Sequence, residues 1–199
     1  MEKPDKLETL DDLLAQAGHY AEFCMRSSGQ MRPALFLIGA DGPLMIAAAS
    51  LDGVEEKDAF VTTARLICIA QAATAVVVAL EAWMSFAKPG ESGDTAEPPS
   101  EALDRKEVVM LMGESKTGHQ QRFLPIIRSG NGRFFGFDET GTPEIDQIGG
   151  RFSQILSAET PSVEHRLIAK AMLEVKGINV DKRGNSVRLS PHRRKKSRF

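Results

Sequence analysis

The chain has 199 residues, 42% of them apolar, 26% charged and 6% aromatic, with 25 basic against 27 acidic side chains. This is the composition of one globular domain with attached tails. No run reaches the roughly 18 uncharged apolar residues of a membrane span, and the polar start Met1–Lys6 has no apolar signal core behind it. A cytoplasmic chain without a membrane partner is therefore expected. The two cysteines, Cys24 and Cys68, both fall in apolar helical patterns, as small buried thiols in a reducing compartment do.

The elements follow in chain order. Thr9 can cap a helix whose stripe is Leu10, Leu13, Leu14, Ala17, Ala21 and Cys24, and Ser27-Ser28-Gly29 ends it. Two apolar runs, 33–39 and 44–48, flank Asp41-Gly42 and predict a hairpin. A second helix is predicted over Val54–Ala73, with Phe60, Ala64, Ile67, Cys68 and Gln71 facing inward. The run Thr74–Leu80, with three consecutive valines, reads as a strand covered on both faces, and it continues into Glu81-Ala82-Trp83.

Residues 86–104 lose all periodicity and carry Pro, Gly and acid, which predicts a mobile acidic loop. Order returns at Glu107–Met112, His119–Arg128 and Arg133–Phe137, three strands of an antiparallel meander, with Pro125 marking a bulge or an edge. Phe152, Ile155 and Leu156 suggest a short helical piece. Thr160-Pro161 opens a last helix with the stripe Val163, Leu167, Ile168, Ala171 and Met172. Beyond Val180 charge is dense and apolar residues are few, so 181–199 is expected to be disordered.

The order α-β-β-α-β-β-β-α predicts an α+β domain over residues 1–180: a mainly antiparallel sheet of five to six strands with helices packed on it. A third helix must cover the second face of that sheet or pack on a partner, and a homodimer is expected. The element order is similar to that of roadblock, profilin and related sensor-type scaffolds. The segments Leu80–Trp83 and Pro99–Val108, with their Glu-Ala-Trp and Pro-Ser-Glu…Asp-Arg…Glu-Val patterns, resemble an uncharacterised family of small bacterial and phage-associated proteins, over roughly residues 30–138. That resemblance implies no activity.

The small net charge of −2 conceals an asymmetry. Eight of the 25 basic residues lie in 182–199, which holds no acid; that leaves 17 against 27 acidic in residues 1–181, a net of −10. An acidic body therefore carries a basic tail. Arg193, Arg194, Lys195, Lys196 and Arg198 are candidate contacts to nucleic acid or to an acidic protein, or a solvated tail folded on the body. They lack the interleaved aromatics that stack on single strands.

A second candidate is the cluster of Glu81, Trp83, Glu101, Asp104, Arg105 and Glu107, brought together if strand 107–112 pairs with strand 74–80. Four acids there could hold a divalent ion or act in acid–base work. In the structural alternative Arg105 or Lys106 neutralises Glu81 and Trp83 packs on the stem. The histidines His19, His119, His165 and His192 have no ligand spacing, so zinc is disfavoured. Gly130-Asn131-Gly132 joins two strands and lacks the helix N-terminus of a phosphate cradle, and no Gly-x-Ser-x-Gly elbow is present. With no nucleophile–base pair, metal set or cofactor loop, the sequence points to a non-enzymatic accessory or adaptor protein. A small enzyme or ligand-binding domain around Glu81 and Asp104, and a non-specific nucleic-acid-binding protein, are the alternatives.

Overall fold

The computed structural model describes residues 7–48, 51–85, 101, 103, 105–138, 151–180 and the short strand at 187–189. Three helices are described: α1 (Leu10–Ser28), α2 (Val54–Ala70) and α3 (Val163–Val175). The strands are β1 (Ala34–Gly39), β2 (Gly42–Ala48), β3 (Ala75–Met84), β4 (Lys106–Ser115), β5 (Gly118–Arg128), β6 (Phe134–Phe137) and β7 (Val187–Leu189). Six of them form one antiparallel sheet in the order β6-β5-β4-β3-β1-β2, and β7 adds to β2 in parallel. The fold is α+β, as the patterning predicts, with four rather than three strands between α2 and α3 because the valine strand precedes the meander.

Strand alternation divides the interior in two. Ala75, Val77 and Ala79 of β3 join Phe36, Val109 and Leu111 under Leu13, Leu14, Ala17, Ala21 and Met25 of α1. Val76, Val78 and Leu80 face the other way, with Leu35, Leu37 and Met112, against Phe60, Ala64 and Ile67 of α2 and Ala169 and Leu173 of α3. Both faces of β3 are therefore buried from Ala75 to Leu80, which is what an uninterrupted apolar run demands.

Local chemistry sets the ends. The Thr9 hydroxyl accepts from the Asp12 amide at 3.1 Å, and the Asp12 carboxylate accepts from the Thr9 amide at 2.9 Å, closing a capping box. Gly29 ends α1 in the left-handed region at φ +75°. Pro125 sits at the end of the β5–β6 pairing, where its carbonyl accepts from the Asp138 amide at 2.9 Å and no ladder bond requires its missing N–H.

Two expectations are corrected. Residues 151–158 form no helix. Gln154 has φ +57°, and the backbone groups of this strap are met from the body instead. Arg65 donates to the carbonyls of Gln154 (3.1 Å) and Ser153 (3.3 Å), and Lys116 to those of Ser157 (2.6 Å) and Ala158 (3.0 Å). The Glu114 carboxylate accepts from the Leu156 amide at 2.8 Å. Ile155 is buried and Phe152 meets Phe60 edge to face, so the apolar signal reports burial without helix. Second, Val187–Leu189, in the stretch expected to be disordered, pairs with Ile46–Ala48. Otherwise the expected acidic loop and basic tail lie outside the described residues, Glu101, Leu103 and the end at Arg105 excepted.

Candidate functional site

The antiparallel pairing of β3 with β4 runs to their ends, with Glu81 opposite Val109, Trp83 opposite Glu107 and Met84 opposite Lys106. The charged stretch does return beside the end of the valine strand. Glu81 continues the alternation of Ala75, Val77 and Ala79, so it emerges on the α1 side of the sheet, just past the end of that helix. There the backbone amide of Met31 donates to its carboxylate. Burial pushes the Glu81 carboxyl above its ordinary value and nearby Glu107 adds to the rise, while the Met31 amide and Arg128 oppose it.

The cation at this cluster is Arg128 of β5, where sequence reasoning nominates Arg105 or Lys106. Arg128 grips Glu107 with two donors, Nε at 2.7 Å and Nη2 at 2.5 Å. It also donates to the Gly29 carbonyl at 3.2 Å. The hydrogen bond with Glu107 raises the guanidinium above its ordinary value. One residue thus ties β4, β5 and the end of α1 together in a bidentate, half-buried pair. No spacing rule could find it, because Arg128 stands 21 positions from its acid.

Arg105 lies instead over the Trp83 ring, 4.7 Å from its centroid. Trp83 is 46% exposed. Glu101 is an exposed turn residue, and Asp104 lies outside the described residues, as do Arg193, Arg194, Lys195, Lys196 and Arg198. Among the described residues no three His, Cys, Asp or Glu side chains gather as the ligands of a metal ion would. What the geometry assembles is two acids and a guanidinium that brace three segments.

A second feature stands on the opposite side of the sheet. Helix α3 seats only Ala169 and Leu173 in the core, and its Arg166 donates to the Ala70 carbonyl of α2 at 3.4 Å. The stripe read from the sequence points outward: Val163 is 72% exposed, Leu167 62%, Ile168 51% and Met172 48%, and Val175 adds 90%. The periodicity is right, and the face it marks is the one turned away from the body. No helix among the described residues is long and apolar enough to cross a membrane. No family model, curated protein or solved structure matches this chain.

Proposed function

We propose that this chain is a non-enzymatic accessory protein that acts by protein–protein association, first of all with a second copy of itself through α3. The exposed face of α3 carries the proposal. Five large apolar side chains on one helix present on the order of 500 Å² of apolar surface, near the upper end of what a monomer exposes without using it. Two such faces packed together would bury about 1,000 Å², the lower bound for a stable interface. Val163 and Val175 mark the two ends of this face, with the small Ala171 and the exposed Glu164 and Glu174 between them, and an antiparallel two-fold copy would meet the same surface that it offers.

Arg193, Arg194, Lys195, Lys196 and Arg198 supply the second contact, to an anionic partner, by charge attraction that salt weakens. Truncation after Leu189 tests this without removing β7. Retained binding to the acidic partner at low salt would overturn it.

Light scattering on the full chain tests the association. We expect twice 21.7 kDa, falling to a single chain in Leu167→Glu with an unchanged circular dichroism spectrum. A concentration-independent single-chain mass for the unmodified protein would overturn it.

A further inference from the structure

The last turn of α1 and the turn between β5 and β6 border an open groove of about 570 Å³. That is the size of a small-ligand site. It lies on the α1 side of the sheet, away from α3, so it stands independently of the association proposed above. Three arginines line it: Arg26, Arg128 and Arg133. Two are held in place. Arg26 is clamped by Glu22 through Nε at 2.9 Å and Nη2 at 2.7 Å, and rests over Phe134 at 5.7 Å from the ring centroid. Arg128 is fixed by Glu107, by the Gly29 carbonyl and, from Nη1 at 3.4 Å, by the Gly132 carbonyl, which leaves one N–H of its fork. Each keeps part of its five-donor fork for another acceptor. Arg133 differs: no described carboxylate forms an ion pair with it, and its bonds are those of its backbone, the amide donating to the Asn131 side chain at 3.2 Å and the carbonyl accepting from the Ser129 amide at 2.8 Å and hydroxyl at 3.0 Å.

The C-terminal end of α1 opens on the same groove, and its exposed carbonyls would repel an anion. At this end the Gly29 amide donates to the Met25 carbonyl at 3.0 Å and Arg128 to that of Gly29, while the Ser27 and Ser28 hydroxyls add second donors to the Phe23 and Cys24 carbonyls one turn back. Against the helix-end carbonyls the groove sets three guanidiniums: two are paired with carboxylates, and Arg133, with no ion pair to a described carboxylate, adds its positive charge beside the half-buried Phe134 ring.

We propose that this groove binds the oxyanion group of a small organic ligand, phosphoryl or carboxylate. Arg133 takes the charge, the remaining donors of Arg26 and Arg128 complete the contact, and Phe134 meets the ligand's apolar part. Guanidiniums match planar and tetrahedral oxyanions with paired donors.

The test is an amide chemical-shift titration of the full chain at constant ionic strength, with inorganic phosphate in one arm and succinate in the other. Saturable shifts confined to Gly29, Asn131, Gly132 and Phe134 are expected. The tighter-binding anion identifies the ligand's group. Arg133→Gln should weaken that binding by about tenfold, whereas Arg122→Gln, at an exposed arginine paired with Asp11, should leave it unchanged. Shifts that never saturate with either anion, or equal affinity in Arg133→Gln and the unmodified chain, would overturn the proposal.

Discussion

Leu167 and Leu173 stand on opposite faces of α3: Leu173 is 1% exposed and Leu167 is 62% exposed. The same residue type, six positions apart, closes the core in one case and faces solvent in the other.

The two leucines should therefore respond differently to truncation. Leu173→Ala opens a cavity and is expected to cost about 2–5 kcal/mol in denaturant unfolding. Leu167→Ala is expected to change monomer stability by less than about 0.5 kcal/mol, and to weaken self-association. Equal losses of stability in a monomeric background would contradict the helix orientation.

Glu81 makes a pH-dependent contribution whose sign follows from its raised carboxyl. The folded state holds that proton more tightly than the unfolded chain, whose ordinary value is 4.5. The contribution is complete below that value and is lost as pH rises through the folded one. Gln keeps an acceptor for the Met31 amide and never ionises. The melting temperature of Glu81→Gln relative to the unmodified chain should thus move upward between about pH 4 and pH 7. Solvent screening limits the gain to a few tenths of a kcal/mol. A relative melting temperature that falls over this range would show that the ionised form is the one the fold favours.

Arg128 and Glu107 should be strongly coupled. Arg128→Gln leaves Glu81 and Glu107 adjacent without their cation and is expected to destabilise by about 2–3 kcal/mol. In a Glu107→Gln background the same change should cost about 1 kcal/mol less. A double-mutant cycle by urea unfolding measures the difference, and additive losses would remove Arg128 as the brace.

The strap at 151–158 depends on long side chains from the body. Arg65→Met together with Lys116→Met removes four hydrogen bonds to its carbonyls. Faster limited proteolysis within 151–158 is expected, with rates elsewhere unchanged. Unaltered cleavage would mean that the apolar contacts of Ile155 and Phe152, together with the Glu114 carboxylate on the Leu156 amide and the Arg151–Asp58 ion pair, suffice to hold the strap.

What was legible in the sequence was local. Capping at Thr9, the glycine stop at Gly29 and the turns between β4, β5 and β6 are carried by residues within a few positions of one another. The return of the charged stretch beside Glu81 was also readable, because antiparallel pairing follows once two long strands are recognised. The partner of Glu107 was not, since Arg128 reaches it across β4 and β5 through tertiary placement. The outward face of α3 was hidden for another reason: periodicity locates an apolar face without saying which way it turns. Strap residues 151–158 misled because burial of Phe152 and Ile155 produces the same spacing as a helix, while donors from distant elements supply what helical hydrogen bonds would.

The sheet is also an energetic partition. Val77 and Val78 are chain neighbours, yet their side chains belong to separate hydrophobic compartments. Val76 and Val78, although not adjacent, share one. Repacking beneath α1 can therefore proceed with little crosstalk to the layer beneath α2, and sequence adjacency along β3 is a poor guide to which substitutions tolerate one another.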